Sequence, residues 1–196
     1  LSMSYNELEQ YARAYELAHK SLVLFREHNE TRRAAFAHYG IGLNAMYQGY
    51  WDEAQTHLNA AIKGFEAEGI PSGLAASYWN YGFLLHLFNR IGESEAAYTK
   101  ALELAQETNQ PNVELDVMLY LGFLYHTQGN FASALPLYDA ALKNVQLIER
   151  THRINLIQFL RGHIFTRQGM QNRAKRAFRT AIESSEHLAG KVKQDM

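Results

Sequence analysis

Nine histidines are the side chains here whose chemistry is easiest to imagine. His86 and His126 stand 40 residues apart, and His163 lies near the same register. Neutral imidazoles on neighbouring helices can share a zinc ion. Against a metal stand three observations: there is no His-x-x-x-His pair, no acidic partner in that register, and no cysteine thiolate. Polar filling of a groove, or contact with a ligand, is the better reading of these histidines. No metal and no cofactor is therefore expected. Catalytic signatures are also missing. Gly40-Ile41-Gly42-Leu43-Asn44-Ala45 mimics a dinucleotide fingerprint but reads as helix interior with no strand before it. Phosphate loops and nucleophile elbows do not occur, so an enzyme is not expected.

The second group of candidate residues is apolar and aromatic. Tyr39, Leu43 and Met46 recur as Trp79, Phe83 and His86, as Leu119, Phe123 and His126, and as Phe159, His163 and Thr166. Each set has i, i+4, i+7 spacing, which puts it on one helical face. Phe36, Tyr47, Asn80, Leu87, Tyr120 and Arg167 should flank that face. Aromatic stripes at this spacing are often simply core. A different set already supplies a core, however, and a surplus apolar face on a repeated helix marks a binding surface.

That core set is a repeat. Gly42, Gly82, Gly122 and Gly162 are spaced by 40, as are Ala61, Ala101, Ala141 and Ala181. Gly49, Gly129 and Gly169 hold another register, with Asn89 in the remaining unit. Ala54, Ala134 and Ala174 hold a further one, with Ser94 in place of Ala. Each 40-residue unit reads as two helices. Gly or Asn closes the first helix, where a left-handed residue is wanted. Pro71 and Pro111 open the next unit, where proline suits a first turn, and Thr31 and Thr151 occupy the same place as hydroxyl caps. Glycine inside a helix costs about 0.5–1 kcal/mol against alanine, so its recurrence points to close helix approach. The large residue opposite would fill the hole: Leu58, Tyr98, Tyr138 and Phe178.

These columns resemble the tetratricopeptide repeat family. The third unit carries the signature as Met118, Leu121-Gly122, Tyr125, Ala134 and Tyr138. The second carries it as Tyr78, Tyr81-Gly82, Leu85, Ser94 and Tyr98, and the fourth as Gln158, Arg161-Gly162, Phe165, Ala174 and Phe178. No unit has Trp at the first bulky place. The 40-residue period exceeds the family's usual 34 and is similar to the extended variety of kinesin light chains, Leu-Gly-Asn adaptors and some bacterial regulators. The resemblance implies an all-α, right-handed α-solenoid of antiparallel helix pairs. About four and a half repeats fit the chain: a half repeat at 1–30, then 31–70, 71–110, 111–150 and 151–190, in one domain spanning 1–196. An opening on a lone second helix, with Leu1 rather than Met, suggests an excerpt from a longer protein.

The resemblance also implies that the aromatic stripe looks into the concave groove. Family members that grip a carboxylate use Lys, Arg and Asn there, and here only Asn80 and Arg167 would serve. A peptide or protein with apolar side chains is thus the expected groove partner. A ligand-sensing domain of a larger bacterial transcription or signalling regulator is the alternative, and a self-associating structural spacer, forming a homo-oligomer, is the third reading.

Composition bounds the rest. The 196 residues are 47% hydrophobic, which excludes wholesale disorder, and no run is long enough to span a membrane. The absence of Cys fits a reducing compartment, so a cytoplasmic location is expected. Net charge is -1, yet residues 1–150 carry 10 basic and 17 acidic side chains and the remainder 9 and 3. That basic last unit could meet an acidic partner, whereas nucleic acid is disfavoured for want of a recognition motif.

Overall fold

The computed structural model describes the backbone of residues 5–147 and 153–194. Among these residues the secondary structure is helical: α1 (Tyr5–Glu27), α2 (Thr31–Gln48), α3 (Trp51–Ala67), α4 (Pro71–Leu87), α5 (Ile91–Glu107), α6 (Pro111–Thr127), α7 (Phe131–Leu147), α8 (Ile154–Arg167) and α9 (Gln171–Gln194). The fold is an all-α helical repeat. None of these helices is long and apolar enough to cross a membrane. Packing divides the chain into two compact units, residues 1–113 and 114–196.

The turns beat at half the sequence period. Asn29, Gly49, Gly69, Asn89, Asn109, Gly129 and Gly169 all take positive φ, between 51° and 80°. Each follows a helix and lets the chain reverse in about three residues. Gly49, for example, bonds back to Met46 O while Tyr50 N bonds to Ala45 O. Asn and Gly are the residues for which this left-handed conformation costs least.

Within each 40-residue unit the glycine column does what close approach demands. A Cβ at Gly42 would stand 2.9 Å from Leu58, and one at Gly82 2.8 Å from Tyr98. In the second unit of packing, a Cβ at Gly122 would stand 2.7 Å from Tyr138 and one at Gly162 2.6 Å from Phe178. Each large residue of the second helix therefore lies flat on the glycine of the first. Alanines close the seam on either side: Ala54, Ala61, Ala101, Ala134 and Ala141 are all fully buried. Pro71 and Pro111 begin α4 and α6, where the missing N–H would have no helical partner in any case. Pro136 sits within α7 without ending it.

One capping expectation is corrected. Thr31 is the first residue of α2, not its cap, and Glu30 precedes it without any side-chain cap bond. The Thr31 hydroxyl instead donates to the Glu68 carboxylate, a contact that ties the start of α2 to the residue after α3. Thr151 lies outside the described residues.

Candidate ligand groove

In the unit formed by residues 114–196, the aromatic stripe comes together in one cavity. Phe123, His126 and Thr127 reach it from α6, and Phe159, Leu160, His163 and Arg167 from α8. Gly129 and Phe131 close its end, and its volume is about 430 Å³. Phe123 and Phe159 remain 43% and 55% exposed, so neither is a core residue. Two further cavities continue the strip. One of about 200 Å³ shares Phe123 and Leu160 and adds Leu119, Tyr120, Arg153 and Leu156. The other, about 670 Å³, shares Phe159 and Leu156 and is completed by Phe178, Ala181 and Ile182. Shared lining residues thus link the three cavities into a largely apolar strip over α6 and α8, with guanidinium groups on its margins.

A histidine pair supplies polar atoms to the groove. His126 Nε2 and His163 Nδ1 are 2.7 Å apart, which requires one ring to donate and the other to accept. Burial pushes His126 below the ordinary imidazole range, and His163 pushes it further in the same direction. The neutral form of His126 is thereby favoured. Phe131 meets His126 edge-on with ring centres 5.7 Å apart, and the Tyr138 hydroxyl lies 3.5 Å from His126 Nδ1.

The stripe residues of the first unit are placed differently. Tyr39 and Met46 pack against the buried cluster of Ala45, Ala54, Leu58 and Leu84. Leu43, Trp79, Phe83 and His86 are half-buried, and burial lowers the His86 pKa. Phe36 is exposed but rests edge-on against Phe65, with ring centres 4.8 Å apart; Tyr47 is exposed. Asn80 does not flank a groove. It is 6% exposed, and its amide donates to Ala76 O at 2.8 Å and to the Tyr39 hydroxyl at 3.3 Å. A buried amide must satisfy its donors internally, and Asn80 does so between two first helices.

The sequence profile of the tetratricopeptide repeat family matches residues 33–107. The glycine and alanine columns continue in register beyond that match. Residues 33–107 carry tetratricopeptide repeats. No curated protein matches its sequence. Solved structures match its fold: BtubC from P. vanneervenii at a TM-score of 0.74 and 14% identity, covering 94% of this array and 92% of that chain. MamA matches at 0.70 and 16%, covering 97% and 99%. A Rap protein complexed with competence and sporulation factor matches at 0.71 and 16%, covering 95% of this array but only 62% of that protein.

The array also holds groupings that sequence reasoning misses. Its basic end is partly spent on itself: Arg153 reaches Asp116 at 3.2 Å, and Arg161 Nε stands 2.8 Å from the Asp139 carboxylate, though not aligned for a hydrogen bond. Arg161 and Arg173 also lie over the Phe165 ring, 5.5 and 5.9 Å from its centre. In the first unit, His19, Glu53 and His57 converge, with His38 beside His57. Burial, then the neighbouring His57, lowers His38 to about 4, and burial lowers His57 as well. The usable signal was the Glu53-x-x-x-His57 spacing, which places a carboxylate and an imidazole on one face of α3.

Proposed function

We propose that the array is a protein-interaction module whose apolar groove over α6 and α8 takes a peptide or protein segment. The carrying observation is the exposure of Phe123 and Phe159 on one largely apolar strip. Exposed contiguous apolar surface on a folded chain is costly to leave uncovered, and repeat arrays use such surfaces for binding. The fitting ligand presents apolar side chains at helical or alternate spacing, as amphipathic helices and extended segments do. Acidic residues on that ligand would meet Arg167 at the margin of the strip. Binding, not catalysis, is the activity this lining serves. The similar Rap structure, complexed with competence and sporulation factor, is a precedent for a chain of this fold holding a factor. It supports a regulatory, ligand-sensing version of the same reading.

Selection of displayed peptides on the full chain tests the proposal directly. Peptides enriched on the wild type should bind the Phe123→Ala/Phe159→Ala double variant at least about tenfold more weakly, since buried aromatic anchors carry much of such affinities. Equal binding to both proteins, with helix content unchanged, would overturn the groove assignment.

A further inference from the structure

A second site lies in the first unit, on helices α1 and α3. His19 on α1, and Glu53 and His57 on α3, each place one ligating atom within 4.8 Å of the other two. Glu53 and His57 are one helical turn apart, so α3 itself aims them at a common point. Tyr15, one turn before His19 on α1, packs onto the buried Ala45, Ala54 and Leu58, which seats α1 and fixes where His19 falls. His19 Nε2 stands 3.4 Å from Glu53 Oε1, is shielded from solvent, and has no hydrogen-bond partner. Glu53 is itself held, because the Tyr15 hydroxyl donates to Oε1. His57 meets His38 through Nδ1 at 3.0 Å, which leaves its Nε2 for another task.

The repeats provide an internal control. At steps of 40, the positions equivalent to His57 are Ala97, Leu137 and Ala177, and Ala97 and Ala177 are buried. Those equivalent to His19 are Asn59, Thr99, Asp139 and Arg179. Repeat packing therefore asks for a small or apolar residue at this place on the second helix, not an imidazole. The two histidines need a reason that the scaffold does not supply.

We propose that His19, Glu53 and His57 form a zinc-binding site, two imidazole nitrogens and one carboxylate with the fourth position open to water. Two borderline nitrogens with one oxygen suit zinc and disfavour magnesium or calcium, which want oxygens alone. Zinc–ligand distances of about 2.0–2.2 Å in a tetrahedron put ligand atoms roughly 3.3–3.6 Å apart. The observed separations need only small rotamer shifts to reach that. Tyr15 and His38 are the outer partners that orient the carboxylate and the imidazole, a role that such neighbours play in established zinc sites.

Calorimetric titration of zinc into the full chain at pH 7.5 is the test. The variants are His57→Ala, which installs the residue found at positions 97 and 177, and Glu53→Gln, which keeps the shape and removes the charge. One zinc per chain is expected, with at least about tenfold weaker binding in both variants. Cobalt in place of zinc should give the visible absorption of a tetrahedral site in the wild type only. His126→Ala, which breaks the other histidine pair, should bind zinc as the wild type does. No uptake by the wild type, equal uptake by all variants, or loss confined to His126→Ala would each overturn the site. Should His57→Ala lose helix content, the half-exposed Glu53→Gln decides alone.

Discussion

Gly122 lies beneath the ring of Tyr138 so closely that a methyl group on its Cα would stand 2.7 Å from Cε1 of that ring. Tyr138 is fully buried and cannot swing away. Gly122→Ala should therefore destabilise the chain by about 1–2 kcal/mol, the overpacking cost outweighing alanine's better helix propensity. Gly40, also inside a helix, has nothing within 4 Å of a Cβ. Gly40→Ala should stabilise by about 0.5–1 kcal/mol. Urea midpoints of the two variants should move in opposite directions.

Ser77 is fully buried and its hydroxyl has no hydrogen-bond partner. The equivalent positions hold Ala37, Val117 and Ile157. Removing an unsatisfied buried hydroxyl should raise stability, so Ser77→Ala is expected to gain about 1 kcal/mol. Thermal melts would show it as an upward shift; a fall would mean that the hydroxyl has a bound partner in solution.

Adjacent residues on α6 should behave as opposites. Leu124 is fully buried, whereas Phe123 is 43% exposed. Leu124→Ala should cost about 2–5 kcal/mol, while Phe123→Ala should stay within about 1 kcal/mol of the wild type. Denaturant unfolding separates them. A cost for Phe123 as large as that for Leu124 would make the stripe core, not groove.

Because burial and His163 lower the His126 pKa, folding favours the neutral ring. The stabilisation is fully present above the unfolded value near 6.5 and is lost as pH falls through the depressed folded value. Tyr138, Arg167 and His163 face this ring, and none of them supplies a counter-anion. Melting temperatures at pH 7.5 and 5.5 should fall less in His126→Gln than in the wild type. Histidines that do not touch His126, present in both proteins, cancel from the difference.

The architecture was legible because the scaffold repeats its demands: Gly42, Gly82, Gly122 and Gly162 each lie against a large partner, so one packing rule is written four times. Similarly, Asn89 in a glycine register announced a left-handed turn. What repeats only half-announced was missed. Asn29, Gly69 and Asn109 take the same conformation as Gly49, but their mix of residue types hid a turn every 20 residues. Asn80 had the composition of a groove residue, and only its depth shows that its amide is used up on Ala76 and Tyr39. The His19–Glu53–His57 cluster joins residues 34 and 38 apart, a separation that no single helix face reveals. Periodicity exposes what the units share; a feature present in one unit alone stays hidden until helices are packed.

The three-residue turns carry a kinetic consequence. With so little chain between helices, much of the close packing falls between helices near in sequence, as Gly42 and Leu58 or Gly122 and Tyr138 show. The entropic cost of closing long loops hardly arises, and low contact order of this kind goes with rapid folding. A nascent chain can complete each helical hairpin as soon as its roughly 40 residues have been synthesised. Hairpin formation should accordingly follow the direction of translation.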